Sequence, residues 1–234
     1  MTFPQLFDAL LSTPSVFAHV VRCFYFALAL LYTGFPSGTP GIPQIGFEEL
    51  SLRVYHTSLL HDVGWSSLPE VVNHPAHEML FELHSAFVAY DHLHAAVPNV
   101  DVSQVGDIVE SIVLHTSEWT TCNSSANQFL MALTVDFDAG GFNGSGIVDY
   151  TQLFHPQTVA EIERAYPRGD FYNAATAVVS KEFAQKPNCL LSHYPGGLGA
   201  FEKDLRVGPI VPGNTTGRRS IRVPQKDPRL HELE

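Results

Sequence analysis

One apolar stretch near the start of the chain limits its fold more than any other feature. Residues 16–32 are apolar on nearly every face of a helix, and the strongly polar side chains among them are those of His19 and Arg22. A helix of this kind either lies in a protein core or spans a membrane. Because His19 and Arg22 interrupt the stretch, and because it lacks the basic flank of a signal peptide, we predict a central core helix.

The rest of the chain is dominated by the 3.6-residue periodicity of amphipathic helices. Strand-like alternation is scarce, so we predict an all-α fold. Besides the central helix, the expected helices cover residues 4–11, 47–62, 77–96, 102–115, 126–138, 159–166 and 171–184. Proline and glycine leave little helix after residue 187, and residues 208–234 have the composition of an extended tail. We therefore expect one domain over residues 1–207, followed by that tail.

The chain is acidic, with 24 Asp and Glu against 13 Lys and Arg and a net charge of −11. Nucleic acids and anionic membranes are bound through Lys/Arg patches, so neither is expected as a partner, and a small molecule is the expected substrate. The three cysteines are far apart and form no Cys-x-x-Cys pair. This usage indicates a reducing, cytoplasmic compartment rather than a disulfide framework. The acidic surface and the tail are compatible with a homodimer.

The strongest candidate for chemistry is the adjacent pair His61-Asp62. It follows an apolar turn and precedes Gly64, which is expected to end the helix. An imidazole and a carboxylate presented together suit Zn, Fe or Mn, and polar groups this close to a core need partners. His19 and Arg22 share one face of the apolar helix, where a buried hydrogen bond is the more ordinary role of a histidine.

A third candidate is Asp138, which ends another apolar helix just before Gly140-Gly141. Asp136 competes with it for any ligand role, and either carboxylate could simply cap a loop. The local sequence does not show which of the two residues is a ligand. The order of the polar segments along the whole chain is needed to choose between them.

Five short segments follow one another in a recognisable order: His19-Val20-Val21-Arg22, Leu59-Leu60-His61-Asp62-Val63, Met79-Leu80-Phe81-Glu82, Ile112-Val113-Leu114-His115 and Asp138-Ala139-Gly140-Gly141. They resemble the HD superfamily, whose metal pattern is His…His-Asp…Asp on separate helices. The likeness is closer to the cyanamide hydratase-like branch, and Ala165-Tyr166-Pro167-Arg168 resembles a further segment of that branch. The likeness covers residues 12–186, most of the chain.

This resemblance implies an HD-domain helical bundle with a bound metal. By the same resemblance the metal ligands are His19, His61, Asp62 and Asp138, a set with an open position that suits Zn²⁺. The implied activity is that of a hydratase or hydrolase acting on a small nitrogen-containing molecule, as in the hydration of cyanamide to urea. Metal-activated water is the expected nucleophile.

Departures from that branch leave another activity open. His84 stands where the branch tends to carry an aromatic residue, Trp65-Ser66-Ser67 follows the His-Asp pair, and Thr116-Ser117 follows His115. With His84 and His115 as ligands of a second metal, the chain would resemble the binuclear sites of di-iron oxygenases, with two Fe ions. Otherwise these two histidines are catalytic pocket donors beside a single metal, and Glu82 is a candidate general base.

Two further functions rank lower. A phosphohydrolase needs additional Lys or Arg beside the metal to hold phosphate, and only Arg22 and Arg53 are expected nearby. A non-catalytic scaffold would be expected to lose metal ligands, whereas the four core ligands are present. The candidate substrate-binding residues are Arg22, Trp65, Trp119 and Phe137, although aromatic residues usually fill cores and Arg22 could form a buried ion pair instead.

Overall fold

The computed structural model describes residues 14–34, 45–96, 100–116, 125–143, 148–186 and 197–211. Within these ranges the regular structure is helical and contains no strand, which confirms the predicted all-α bundle. The α-helices are α1 (Pro14–Tyr32), α2 (Phe47–Leu60), α3 (Pro69–Val72), α4 (Phe81–Ala96), α5 (Val102–Leu114), α6 (Ala126–Gly140), α7 (Tyr150–Leu153), α8 (Pro156–Ala165), α9 (Phe171–Gln185) and α10 (Gly197–Asp204). Short 3₁₀ segments cover Val63–Trp65, Pro75–Glu78 and Gly141–Asn143.

Helix α1 lies at the centre of the bundle, as its apolar faces predict. It packs against α2, α6, α8 and α9, and Val20, Phe26 and Ala27 are completely buried. By length and composition α1 could also cross a membrane, but 61% of its most apolar window is buried inside this bundle. Such burial is what a core helix requires.

Among the described residues, α2 contributes to the two largest apolar clusters of the core. Leu50 and Val54 pack with residues of α1, α6, α7 and α8 in the larger cluster, whereas Leu60 packs with residues of α4 and α5 in the smaller cluster. The end of α2 therefore lies where the two clusters approach each other. His61 and Asp62 follow directly and are buried there.

The structure divides the helix predicted over residues 77–96 into two parts. A 3₁₀ segment covers Pro75–Glu78, Met79 is extended, and α4 begins two residues later. The His74 side chain accepts a hydrogen bond from a backbone N–H at the start of the 3₁₀ segment, and Lys186 donates to the carbonyl oxygen of Met79 at its end. These contacts stabilise the break, and the break determines which residues of α4 face the centre of the bundle.

The C-terminal part also differs from the prediction. Helix α10 lies in a region expected to hold little helix, and Ile210 and Val211 belong to the larger apolar cluster although a tail is predicted from residue 208. The Glu163 carboxylate accepts hydrogen bonds from both of their backbone N–H groups, at 2.8 and 3.2 Å. Packing therefore overrides the local propensity of this segment. The helix predicted over residues 4–11 and the tail beyond residue 211 lie outside the described residues.

Gly64 allows α4 to approach the His61-Asp62 turn closely. A Cβ atom at Gly64 would lie 2.9 Å from the Phe81 carbonyl oxygen and 2.9 Å from Ser85 Oγ, and the Gly64 N–H donates to the same Oγ. We therefore expect Gly64→Ala to displace α4 and to lower the free energy of unfolding by about 1–3 kcal/mol, the usual effect of overpacking a core. Urea unfolding measures this change.

Gly106→Ala is the matched control for that experiment. Gly106 lies inside α5, and a Cβ atom there meets nothing within 4 Å. Alanine in a helix interior is more stable than glycine by roughly 0.5–1 kcal/mol, so this variant should gain stability. Equal effects of the two substitutions would contradict the close approach at Gly64.

Candidate metal centre

His61 is buried at the end of α2, and a backbone hydrogen bond fixes its ring. Its Nδ1 donates to the carbonyl oxygen of Ser58 at 2.7 Å. Because a carbonyl oxygen only accepts, the ring proton is on Nδ1 and Nε2 carries a lone pair. This Nε2 lies 3.4 Å from Asp62 Oδ2 and 3.2 Å from His19 Nε2.

His19 is held in the same way from α1. Its Nδ1 donates to Oδ2 of Asp138 at 2.6 Å, so Nε2 is again the unprotonated nitrogen. That Nε2 lies 3.6 Å from Asp62 Oδ2. Two unprotonated nitrogens cannot hydrogen-bond to each other, and a cation between His19 and His61 would satisfy both at their 3.2 Å separation.

His115 supplies a third imidazole from the end of α5. Its Nδ1 donates to the carbonyl oxygen of Ile112 at 2.6 Å, which leaves Nε2 unprotonated at 3.9 Å from Asp62 Oδ1. The ring centroids of His115 and His61 are 4.7 Å apart. Three histidines from three helices therefore present Nε2 to one carboxylate.

Asp62 lies in the middle of this group and is almost completely buried. Its Oδ2 has no hydrogen-bond partner among the described residues. Burial raises the pKa of the Asp62 carboxyl well above its ordinary value, and repulsion from Glu82 raises it further. Burial lowers the pKa of His61 well below its ordinary value and that of His115 to about 4. Neutral imidazoles around an unpartnered carboxylate are the donor set of a transition-metal site.

Ligand atoms of His61, Asp62 and His115 all lie within 4.8 Å of one another, and a second group within that distance joins His19 and His61 with Cys23. The Cys23 sulfur is 3.7 Å from Nδ1 and 3.8 Å from Nε2 of His19. Such equal distances place the sulfur over the face of the ring rather than beside one nitrogen. The better ligand set is therefore His19, His61, Asp62 and His115.

The structure places Asp138 behind His19 and not among these ligand atoms, in contrast to the ligand role that the HD resemblance implies. Arg22 binds both carboxylate oxygens, with Nε 2.7 Å from Oδ1 and Nη2 2.8 Å from Oδ2. A carboxylate that fixes the outer nitrogen of a ligand histidine is common in metal sites. Asp136, the competing candidate, accepts a hydrogen bond from the Tyr150 hydroxyl instead.

Arg22 directs its hydrogen bonds to the protein, in contrast to its predicted substrate-binding role. Beyond the pair with Asp138, its Nη1 donates to the backbone carbonyls of residues 166–167. Arg168 donates to the backbone oxygen of Asp138. Burial alone would raise the pKa of Asp138, but Arg22, His19 and Arg168 outweigh it and hold that pKa well below its ordinary value. Asp138 therefore stays ionised behind His19.

Asp138→Asn tests whether this residue supports a ligand or is one. An amide holds the His19 ring less strongly than a carboxylate, so we expect metal affinity to fall by about 10–100-fold, as for other outer partners of ligand histidines. Zinc titration against a chromophoric chelator measures the affinity. A folded variant that binds no zinc at saturation would make Asp138 a direct ligand.

Helix α4 turns Glu82 toward the metal centre. Its Oε1 accepts a hydrogen bond of 2.8 Å from the Thr116 hydroxyl, and Glu82 is close enough to Asp62 to raise the pKa of that carboxyl. Burial raises the pKa of Glu82 to about 7. Its Oε2 has no hydrogen-bond partner among the described residues. The role of Glu82 in proton transfer stays a prediction.

His84 faces another part of the bundle. Its Nε2 donates to the carbonyl oxygen of Val71 at 3.0 Å, and its ring contacts those of His74 and His77. Two residues along an α-helix differ by about 200° in direction, so Glu82 and His84 cannot both face the centre. This position does not fit the predicted role of His84 as a pocket donor, or as the ligand of a second metal in a binuclear centre with His61 and Asp62.

Aromatic rings surround the metal centre. Phe171 stacks on the His19 ring with a centroid distance of 4.5 Å, and Phe81 lies edge-on to His115 at 5.6 Å. Trp65, a predicted substrate-binding residue, is partly buried and lies 5.0 Å from Phe81. Phe81 and Phe171 are not predicted as site residues from the sequence. Phe81 could have been found from its place in the Met-x-Phe-Glu segment.

The remaining predicted substrate-binding residues are Phe137 and Trp119. Phe137 is completely buried in the larger apolar cluster and stacks on Phe154 at 4.1 Å. Its role is therefore core packing rather than substrate contact. Trp119 lies outside the described residues.

No family model matches the chain, and no curated protein matches it at a significant level. The inference about function is therefore drawn from the geometry of the buried His/Asp group. This group can hold a metal ion, and imidazole with carboxylate is compatible with Zn, Fe or Mn.

The buried histidines predict that the metal-free protein is sensitive to acid. Burial lowers the pKa values of His19, His56, His61, His84 and His115. These rings are neutral in the folded chain and take up protons on unfolding below about pH 6.5, so stability should fall as the pH drops from about 6.5 toward 4. The raised pKa values of Asp62 and Glu82 act in the opposite direction, and two groups against five reduce the slope without reversing it.

His115→Asn isolates one of these groups. Asparagine keeps an N–H donor for the Ile112 carbonyl but does not titrate, so the pH slope of the unfolding free energy should decrease by about 1 kcal/mol per pH unit. Urea unfolding with a chelator between about pH 4.5 and 6 measures the slope. His94→Asn, on the exposed face of α4, is the control. An unchanged slope in His115→Asn would contradict a neutral, buried His115.

Proposed function

We propose that this chain is an HD-type, metal-dependent hydratase or hydrolase that acts on a small nitrogen-containing molecule, in the manner of cyanamide hydratase. The observation that supports this best is the meeting of three unprotonated Nε2 atoms at the Asp62 carboxylate: those of His19 and His61 approach the unpartnered Oδ2, and that of His115 approaches Oδ1. The resemblance implies Asp138 as the fourth ligand, whereas the ligand set proposed here has His115 in its place.

We propose Zn²⁺ as the bound ion. Ligand atoms on one tetrahedral zinc, each at about 2.0–2.1 Å from it, are about 3.4 Å from one another. Here His19 Nε2 and His61 Nε2 are 3.2 Å apart and lie 3.6 and 3.4 Å from Asp62 Oδ2. His115 Nε2 lies 3.9 Å from the other oxygen, Oδ1. When bound, zinc supplies Lewis acidity and lowers the pKa of a water ligand to about 7.

Glu82 is the residue best placed to move a proton. Its pKa of about 7 leaves the carboxyl partly ionised at neutral pH, while Thr116 holds Oε1 and Oε2 stays free of hydrogen bonds among the described residues. Oε2 can accept a proton from water as the oxygen bonds to the carbon of a carbon–nitrogen multiple bond, and can return it to the nitrogen. The rings of Phe81 and Phe171 lie against those of His115 and His19.

Two observations favour this proposal over the alternatives. His84, needed as a ligand for a second iron, donates to the Val71 carbonyl and lies among other histidines. A phosphohydrolase needs free guanidinium or ammonium groups at the metal, whereas Arg22 and Arg168 bind Asp138. A single-metal hydratase agrees with both observations.

The direct test is urea formation from cyanamide by the zinc-loaded protein. We expect turnover that stops when a chelator removes zinc and returns when zinc is restored. Glu82→Gln should stay folded and keep its zinc while kcat falls by about 10²–10⁴-fold, the range for loss of a general acid–base group. His94→Ala, on the exposed face of α4, should retain full activity.

Small nitriles and carboxamides should be tested in the same assay. The site chemistry indicates the type of reaction, but not which group the substrate carries beside its carbon–nitrogen bond. Protein that holds zinc but hydrates none of these compounds would reject the proposal. Oxygen consumption by iron-loaded protein would instead support the oxygenase.

A further inference from the structure

A second group of histidines lies where the 3₁₀ segment Pro75–Glu78 meets α4. The His84 ring is 5.2 Å from the His77 ring and 5.7 Å from the His74 ring, measured between centroids. None of the three belongs to the ligand-atom groups found among the described residues. The proposed reaction does not use them.

Two nitrogens of this group are buried and have no hydrogen-bond partner among the described residues, namely Nδ1 of His77 and Nδ1 of His84. His84 donates from Nε2 to the Val71 carbonyl, so Nδ1 of the neutral ring carries a lone pair. The His84 side chain is completely buried. A buried acceptor without a partner is costly, and a bound cation would satisfy it.

His74 positions this group rather than adding a donor to it. Its Nδ1 accepts a hydrogen bond from the Ala76 N–H at 3.2 Å, so its Nε2 carries the proton and donates to Asp91 Oδ2 at 3.2 Å. Both nitrogens of His74 are therefore occupied. The cap that His74 forms holds the 3₁₀ segment on which His77 lies.

The spacing of the His77 and His84 rings fits a shared metal ion. Two imidazoles bound to one tetrahedral zinc, with nitrogen–zinc distances of about 2.0–2.1 Å, have ring centroids about 5 Å apart. The observed distance is 5.2 Å, and the ring planes are inclined by 76°. The spacing of the rings is therefore compatible with one shared ion.

The surrounding charges are compatible with a cation here. Lys186 is the nearby positive group, and its ammonium is paired with Glu182 Oε1 at 2.8 Å and donates to the Met79 carbonyl. Glu182 Oε2 is buried and unpartnered among the described residues. Burial lowers the pKa of His84 to about 4, with His77 among the further causes, so the ring is a neutral ligand at physiological pH.

We propose that Nδ1 of His77 and Nδ1 of His84 together bind one divalent cation of the zinc class, with water in the remaining positions. Imidazole is a preferred ligand of such late first-row metals. The ion joins the 3₁₀ segment to α4 and is separate from the metal centre of His61 and Asp62.

The test is the zinc content of the untagged, full-length protein after equilibrium dialysis against excess zinc chloride. We expect two equivalents per chain for the wild type and one for His77→Ala. His84→Gln should also bind one, because its amide can still donate to the Val71 carbonyl but offers no ring nitrogen. The double variant should bind one as well, since both residues belong to one site. His94→Ala should bind two.

Circular dichroism on each variant confirms folding, and His77, which is only partly buried, is the safer of the two substitutions. One equivalent in the wild type that His77→Ala also retains, or two in His77→Ala, would overturn the proposal. The cyanamide assay gives an independent result, because His77→Ala should leave turnover unchanged. A loss of turnover in that variant would show that the second ion takes part in the reaction. That result would contradict the proposal that its site is separate from the metal centre.

Discussion

His61→Asn is expected to remove zinc from the metal centre in a protein that still folds. The asparagine amide can replace Nδ1 as the donor to the Ser58 carbonyl, but it has no atom equivalent to Nε2, which lies 3.2 Å from His19 Nε2 and 3.4 Å from Asp62 Oδ2. Imidazole nitrogen is a strong zinc ligand, whereas a side-chain amide is a weak one. The variant should therefore lose the tightly bound zinc and hydratase activity together.

Elemental analysis after dialysis against a moderate chelator measures this result. Under that condition the centre with four ligands keeps its ion, while a site with two histidines releases it. His94→Asn on the exposed face of α4 is the matched control and should keep one equivalent. Full zinc content in folded His61→Asn would show that the centre is assigned to the wrong residues.

Arg22→Met is expected to cause the largest loss of stability of any variant considered. Arg22 and Asp138 are both completely buried, and the guanidinium binds both carboxylate oxygens. Methionine fills much of the same volume but leaves Asp138 with only part of its compensating charge. Removing one partner of a buried ion pair typically lowers the free energy of unfolding by about 3–5 kcal/mol, a large share of the total for a domain.

Urea unfolding of Arg22→Met measures the loss, with Arg164→Met on the exposed side of α8 as the control. Adding Asp138→Asn to Arg22→Met should recover part of the stability, because the unpaired charge is removed and the two effects are coupled. A change below about 1 kcal/mol in Arg22→Met, the level of a surface ion pair, would show that the buried pair contributes little.

The all-α fold and the position of α1 could be predicted because they depend on local patterns. Residues 16–32 are apolar on every face, and this property demands an interior position whatever the neighbours are. The His61-Asp62 pair could be predicted as a site for a similar reason, since two polar groups at the end of an apolar turn need partners. His115 could be predicted as a residue of the same site only from the order of the five segments along the chain.

The role of Asp138 could not be predicted from its own surroundings. Whether a carboxylate binds a metal or a ligand histidine depends on which groups reach it from other helices. Here His19 and Arg22, both from α1, occupy its oxygens. The same long-range packing brings Phe171 onto the His19 ring.

Glu82 and His84 are both predicted as site residues, but only Glu82 faces the centre, for a reason that the periodicity hides. A helix predicted to run unbroken from residue 77 has a different phase from one that begins at Phe81 after an extended Met79. The contact from Lys186 that stabilises the break comes from 107 residues away along the chain. Periodicity detects the helix, but it does not show at which residue the helix begins and therefore which side chains face the centre.

The separation of Arg22 and Asp138 by 116 residues has a consequence for how the protein is made. Ribosomes add about 5–20 residues per second, so roughly 6–23 s pass between the synthesis of α1 and that of α6. During that time a helix that is apolar on all sides lacks the partner that neutralises its arginine. Nascent chains in this state are prone to aggregate and are substrates for chaperones. The yield of folded protein in a cell should therefore depend on chaperone supply during translation.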